Sequence, residues 1–234
     1  MKKFIILFLC LGLAACRGIY SYNPNRTDMR GLMQNDAFRQ NARPDQHVSN
    51  RQTITLISSI SPSMGAPYYT FTNFESRPGG HGLGFSRQYE FGGDVRATIF
   101  AYHRRMTPAQ IPTDIHSAQF AYIYQNEIDT IKSQGHFQNI RQISSGFVTI
   151  RGIEQTMEFK RFQFNALQTR SNTNVISAMY LTVHNGAFLK VRITYPNTEQ
   201  HGPQFQSAFM QRLVTNLMDF NGDWRAFDKA MANP

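Results

Sequence analysis

The sequence predicts an α+β fold: a single domain with an antiparallel sheet packed by about two helices, after a signal peptide and a disordered tether. Three observations carry this. Two apolar runs rich in β-branched residues flank His184-Asn185-Gly186, a hairpin signature. Phe85, Arg87, Tyr89 and Phe91 alternate with Ser86, Gln88 and Glu90, the two-residue period of a strand. Around residues 112–135 and 203–217 the apolar residues instead recur every three or four positions, the period of an amphipathic helix. Strands gathered in runs and separated by single helices are the order expected of an α+β domain.

The elements follow in chain order from position 53. Ile54, Leu56 and Ile57 are expected to form a first strand, with Pro62, Gly65 and Pro67 turning the chain after it. Tyr68 to Phe74 is aromatic and reads as a second extended segment. A glycine cluster, Gly79-Gly80-His81-Gly82-Leu83-Gly84, leads into the alternating strand Phe85–Phe91. Gly92-Gly93-Asp94 then supplies a turn, and Val95 to Tyr102 returns as its hairpin partner. Pro112-Thr113-Asp114 offers turn and N-cap chemistry for a helix marked by Ala118, Ala121, Tyr124, Ile128 and Ile131, which Gly135 ends. Gly146 to Ile150 and Met157 to Phe164 read as two strands around Gly152. Pro203 at a first helical position starts a closing helix with Phe205, Phe209, Leu213 and Leu217 in one stripe, stopped by Asn221-Gly222.

The last hairpin, Val175 to Val183 with Ala187 to Tyr195, invites a register prediction. A two-residue loop pairs Leu181 with Lys190 and Met179 with Arg192, mixing charge into the apolar face. A three-residue loop pairs Leu181 with Leu189 and Met179 with Val191, and sends Tyr180, Lys190 and Arg192 to the other face. A one-residue slip exchanges the faces, so the cleaner segregation favours three, with Gly186 as the left-handed residue.

The N-terminus has a different character. Lys2 and Lys3 precede an uncharged apolar run, Phe4 to Leu13, which reaches only about 15 Å as a helix, roughly half a bilayer core. Such a run suits the apolar region of a signal peptide and is too short for a span. Leu13-Ala14-Ala15-Cys16 resembles the lipobox of bacterial lipoproteins. That resemblance implies lipid on the Cys16 sulfur, cleavage that leaves Cys16 first, and a place in the cell envelope. Arg17 after the cysteine implies, by the same resemblance, the periplasmic face of the outer membrane in a Gram-negative cell. The expected divisions are a signal peptide at 1–15, lipidated Cys16 and tether at 16–52, the domain at 53–220 and a tail at 221–234. Residues 17–52 are rich in Asn, Arg, Asp and Gln without a steady period, the composition of a flexible segment. A transient helix over 28–40 is its one exception. Multiple acyl chains, at about 0.8 kcal/mol per buried CH₂, would hold such a protein on the membrane surface.

Composition narrows the chemistry. Cys10 and Cys16 are the two cysteines, and Cys10 leaves with the signal, so the mature chain offers no intramolecular disulfide, cysteine metal cluster or thiol nucleophile. Loss of Lys2 and Lys3 takes two from 24 basic residues against 15 acidic, a mature net charge of about +7. That balance points to anionic lipid, acidic glycan or an acidic envelope protein as partner. No polybasic arm or recognition motif points to nucleic acid. His103-Arg104-Arg105 and Lys160-Arg161 are the densest basic spots.

Catalytic and cofactor motifs fail on context. Gly80, Gly82 and Gly84 echo a phosphate loop, but a strand follows where a phosphate cradle needs a helix N-terminus. Ser86 lacks the closing glycine and the strand-to-helix turn of a nucleophile elbow. The seven histidines are dispersed, without a pair at helical ligand spacing, so no metal and no cofactor is expected. Glu127 with Asp129, and Glu154 with Glu158, read as solvated positions. Three candidate contact surfaces remain: His81 in its glycine loop, the aromatic run Tyr68, Tyr69, Phe71 and Phe74, and the face carrying Tyr180, Lys190 and Arg192. Long cationic stems can cover aromatic surface there while their heads meet solvent. Trp224 and Phe227 in the tail are expected either to fold back or to form contacts.

The element order of hairpin, helix, later strands and terminal helix also loosely resembles the fold shared by the photosystem subunit PsbP and the Mog1 proteins. That resemblance implies a binding or assembly role. The expected function is thus a membrane-anchored, non-enzymatic binding or assembly module. The alternatives are a periplasmic hydrolase with its site assembled from dispersed His, Asp and Glu, and a basic-face binder of anionic glycan or lipid.

Overall fold

The computed structural model describes residues 71–78, 84–92, 94–153 and 155–218, together with Thr53, Leu56, Ile57 and Ile60. Cys16 and its box, the 16–52 segment with its 28–40 helix, the turn at 62–67, Tyr68 and Tyr69, His81 and its glycine neighbours 79–83, Gly93, Glu154 and the 221–234 tail lie outside the described residues. So do the side chains of Phe71 and Phe74.

Seven strands form one antiparallel sheet. They are β1 (Phe71–Pro78), β2 (Gly84–Phe91), β3 (Val95–Tyr102), β4 (Phe137–Arg151), β5 (Thr156–Gln168), β6 (Thr173–His184) and β7 (Ala187–Pro196). Helix α1 (Ala118–Ser133) lies between β3 and β4, and α2 (Gly202–Met218) follows β7. The spatial order β1-β2-β3-β7-β6-β5-β4 joins two meanders through β3 and β7, so the last strand closes the sheet in its middle. The α+β class expected from the sequence is the class observed.

The sheet is covered on both faces. On one, α2 places Phe205, Phe209, Met210, Leu213 and Leu217 over Phe85, Tyr89 and Phe91 of β2, Val95, Ala97 and Ile99 of β3, and Leu189, Val191 and Ile193 of β7. Phe91 meets Phe205 edge-on at 4.8 Å between ring centroids, a favoured aromatic geometry. On the other face, α1 packs Phe120, Ile123, Tyr124, Ile128 and Ile131 onto Phe162 and Phe164 of β5, Met179 and Leu181 of β6, and Phe188 of β7. Two helices on opposite faces explain why β6 reads as a near-continuous apolar run: both of its faces are buried.

Four expectations need correction. Thr53, Leu56 and Ile57 are helical and, with Ile60, buried, so no strand stands there. Their spacing of three, four and seven is the helical stripe, and it outweighs the β-branching of Ile54 and Ile57. The Arg87 guanidinium donates to the Ile60 carbonyl and ties this segment to β2.

The N-cap of α1 is Ser117, whose Oγ accepts from the Phe120 amide at 3.2 Å, rather than Thr113 or Asp114. Asp114 instead accepts from the His116 amide in the preceding turn. Strand β4 begins at Phe137 and not at Gly146. Its first half is polar, twice shifted in register, and carries Asn139 at φ 55°, so no two-residue period marks it.

The fourth correction concerns the last hairpin. It has a two-residue loop, with His184 opposite Ala187, Leu181 opposite Lys190 and Met179 opposite Arg192. Asn185 and Gly186 take φ of 49° and 71°, the pair of left-handed residues that a type I′ turn demands. The turn chemistry prevails over charge segregation: on the α1 face Lys190 meets the Glu127 carboxylate, and the Arg192 guanidinium lies over the Phe137 ring.

Candidate functional site

The hairpin register decides where the predicted contact residues go. Lys190 and Arg192 of β7 point to the α1 face, whereas Tyr180 of β6 points to the α2 face and is buried. The three therefore do not share one surface. His81 lies outside the described residues.

On the α1 face Lys190 enters a charged hub. Its Nζ stands 2.7 Å from Glu127 Oε2 on α1, and 4.5 and 5.4 Å from the ring centroids of Phe100 and Tyr102. Glu127 Oε1 accepts from the Tyr102 hydroxyl at 3.0 Å and faces Arg104 at 3.6 Å. Burial, with the Glu127 charge next, holds the Tyr102 hydroxyl well above its usual pKa of 10.0, so it remains a donor. Arg104 and Arg105 sit in a tight turn at φ 50° and 62°, a backbone rare outside glycine, which aims Arg104 at the carboxylate. Glu127 is thus an enclosed, 12 % exposed hub rather than a solvated position. The signal was a lone Glu on the helix stripe beside Tyr124 and Ile128, opposite a lysine that the correct hairpin register places on that face.

Arg192 sits two residues further along β7. Its guanidinium lies 4.5 Å from the Phe137 ring centroid, and its Nε donates to Ser177 Oγ at 3.4 Å. Burial alone lowers its pKa from 12.5 to about 10, so it is charged at neutral pH. Among the described residues it has no carboxylate partner, and its buried NH2 has no hydrogen-bond acceptor.

A second polar cluster lies on the α2 face and was not anticipated. The Tyr180 hydroxyl accepts from Gln206 Nε2 of α2 at 2.6 Å, and Arg161 of β5 stands directly opposite Tyr180. Arg161 NH2 donates to Ser144 Oγ of β4 at 3.2 Å, and Ser144 Oγ in turn faces Gln163 Oε1 at 3.3 Å. Burial raises the pKa of Tyr180 and of Tyr195, so both phenols stay protonated. The basic pair Lys160-Arg161 was visible in the sequence, but the strand pleat divides it. Lys160 turns to the α1 face, 4.8 Å from the Tyr124 ring and 5.2 Å from the Phe147 ring, and Arg161 turns to the α2 face.

His116 and Glu158 form a His–carboxylate pair at 2.9 Å, with His116 stacked 4.3 Å from Phe147. Both are exposed, at 55 % and 39 %, where solvent screens the pair and no enclosed reaction space surrounds it. Among the described residues no group of three or more His, Cys, Asp or Glu side chains is placed to hold a metal ion. No helix among them is long and apolar enough to cross a membrane.

No protein-family model matches the chain, and no curated protein matches it in sequence. Among solved structures it aligns with a Pseudomonas aeruginosa protein of unknown function, described as a candidate regulator, at 10 % identity and a TM-score of 0.32. The alignment covers 61 % of this chain and 81 % of that one. A superposition at that level defines neither a fold family nor a role.

Proposed function

We propose that the chain is a cell-envelope lipoprotein, anchored by acyl groups on Cys16, whose α+β domain binds or positions another envelope component rather than turning over a substrate. The anchor rests on the order of Lys2-Lys3, apolar run and Leu13-Ala14-Ala15-Cys16. The observation that carries the binding role is the state of Glu127. This enclosed carboxylate is bound by Lys190, Arg104 and Tyr102, so the group best placed for acid–base work is committed to joining α1 to the sheet. A general base must instead be free to accept a proton from substrate.

Two measurements test the proposal. Cell fractionation should find the wild-type chain in the membrane pellet and Cys16→Ser in the soluble fraction. Crosslinking in intact cells should recover a recurrent envelope partner. A wild-type chain in the soluble fraction would overturn the anchor. Turnover of a glycan, ester or peptide substrate, abolished by one substitution, would overturn the binding role.

A second reading is favoured by the surplus of cations. Lys190 and Arg104 share one carboxylate, and Arg192 has none among the described residues. An anionic glycan or lipid is the ligand class that balance suits. Binding to anionic vesicles or glycan should weaken steeply with added salt, and Arg104→Gln should reduce it. Salt-independent binding would exclude this reading.

A further inference from the structure

We propose that the outer edge of β4, from Ser144 to Arg151, takes up an extended segment of another envelope protein as a further strand of the sheet, and that this segment alternates acidic and β-branched residues. This rests on the binding role proposed above and gives it a surface and a partner chemistry.

Among the described residues β4 ends the sheet and pairs with β5 alone. The backbone N–H and C=O groups along its other side are a template with which a second chain can pair. Proteins blunt such an edge with bulges, proline or inward-pointing charges, and the two halves of β4 differ in this respect. The half from Phe137 to Ile143 holds both breaks in register and Asn139 at φ 55°. From Ser144 to Arg151 the register with Gln163 to Thr156 is unbroken, there is no proline, and the single charge stands at the end. Phe147, in the middle of this stretch, is 40 % exposed. Gly146 takes φ 150° and has open space where a Cβ would stand, so another backbone can come close.

The two faces of this stretch fix the partner's pattern. Side chains alternate across a strand, so an added strand sets every second residue beside each face. Val148 and Ile150 lean on the α2-side core, where a Val or Ile beside them extends a partly buried apolar surface. Phe147 and Arg151 point to the other face, as does Ser145 where it meets the Tyr124 hydroxyl of α1. Lys160, directly opposite Phe147, holds its Nζ 5.2 Å from that ring.

Neither Lys160 nor Arg151 pairs with a carboxylate among the described residues, and the nearby Glu158 is taken by His116 at 2.9 Å. Carboxylates on the added strand complete this face, whereas cations there would be repelled. The same charge balance speaks against a second copy of the chain as the occupant. Its β4 would bring Arg141 and Arg151 and no acidic residue.

The test titrates the full chain, in neutral detergent micelles, with acetyl-Glu-Val-Glu-Val-Thr-Val-Glu-Val-amide, followed by calorimetry and by amide hydrogen exchange of β4. Saturable binding that slows exchange along β4 is expected. Replacing Glu by Lys in the peptide should weaken it about tenfold or more, and Arg151→Glu should reduce or reverse that preference. Each edge of a strand uses the N–H groups of alternate residues. N-methylation of the Val residues and N-methylation of the others should therefore differ, one version losing about tenfold or more in affinity and the other staying within about twofold. No saturation, equal affinity of the Glu and Lys peptides, an unchanged preference in Arg151→Glu, or equal effects of the two N-methylated versions would overturn the proposal. A concentration-dependent dimer lost in Phe147→Lys would also overturn it, by giving the edge to a second copy. If the peptide fails while crosslinking in intact cells still recovers a recurrent envelope partner, the edge falls and the binding role stands. If both fail, both fall.

Discussion

At the scale of single residues, stability and charge are set against each other on the α1 face. Replacing Glu127 by Gln leaves Lys190 and Arg104 in a half-buried space without a countercharge, and turns an amide NH₂ where one carboxylate oxygen stood; the amide oxygen can serve only one of Tyr102 and Lys190. Glu127→Gln is expected to destabilise the domain by about 2–3 kcal/mol, read as a lower denaturant midpoint. Arg192 should behave in the opposite sense. A buried guanidinium without a carboxylate costs desolvation that the Phe137 contact only partly offsets. Arg192→Met is therefore expected to raise stability by about 1 kcal/mol, checked by the same denaturation curves.

His184 adds a pH dependence. Burial lowers its pKa below 6.5, against an opposing bond to the Leu217 backbone. The unfolded chain then takes up a proton that the folded chain resists, so stability is lost as pH falls below 6.5 toward the folded value. Between pH 7.5 and 5.5 the melting temperature of the wild-type chain should fall further than that of His184→Gln. Parallel curves would show that His184 titrates alike in both states.

Elements differ in how clearly the sequence announces them. β2, β3, α1 and α2 are legible because each has one apolar face and recognisable turn chemistry at an end. The first half of β4 is not legible, because an edge strand exposed along most of its length has no reason to alternate. Charge segregation misplaces the loop of the last hairpin for a related reason. Segregating charge assumes one dry face and one wet face, whereas a sheet with a helix on each side has two dry faces. Asn185-Gly186 was the better guide.

The candidate site was half legible for the same cause. Lys190 and Arg192 were visible as cations on an apolar hairpin, but their partners Glu127 and Phe137 come from α1 and β4, distant in sequence. Nothing local to Arg161 foretold the Tyr180–Gln206 cluster, since it assembles only when α2 crosses the sheet. The tightest test of that crossing is Gly202→Ala. Its methyl would lie 2.3 Å from the Tyr195 ring, and the helix start must lift or tilt. A loss of about 1–3 kcal/mol is expected, larger than the gain in helix propensity.

For the molecule as a whole, the proposed anchor and the domain are separable. Cys16 lies far along the chain from the described core, so Cys16→Ser should change where the protein is found without changing its melting temperature. A variant that left the membrane and also melted earlier would mean that the N-terminal segment contributes to the fold. The sequence is informative about sheet-and-helix class, because hydrophobic period is a local property. A polar cluster made where a helix crosses two strands is a property of the assembled molecule.

The bond from Arg87 to the Ile60 carbonyl has a mechanical meaning as well as a packing one. If the chain is held at Cys16 while its domain is engaged elsewhere in the envelope, tension enters the folded body at Thr53–Ile60 before it reaches any strand. There it meets a helical segment seated in the α2-side core and latched to β2, two strands away from β7 at the middle of the sheet. A pull would first work against that latch, so the sheet and its two cation clusters would keep their shape while the domain is tugged.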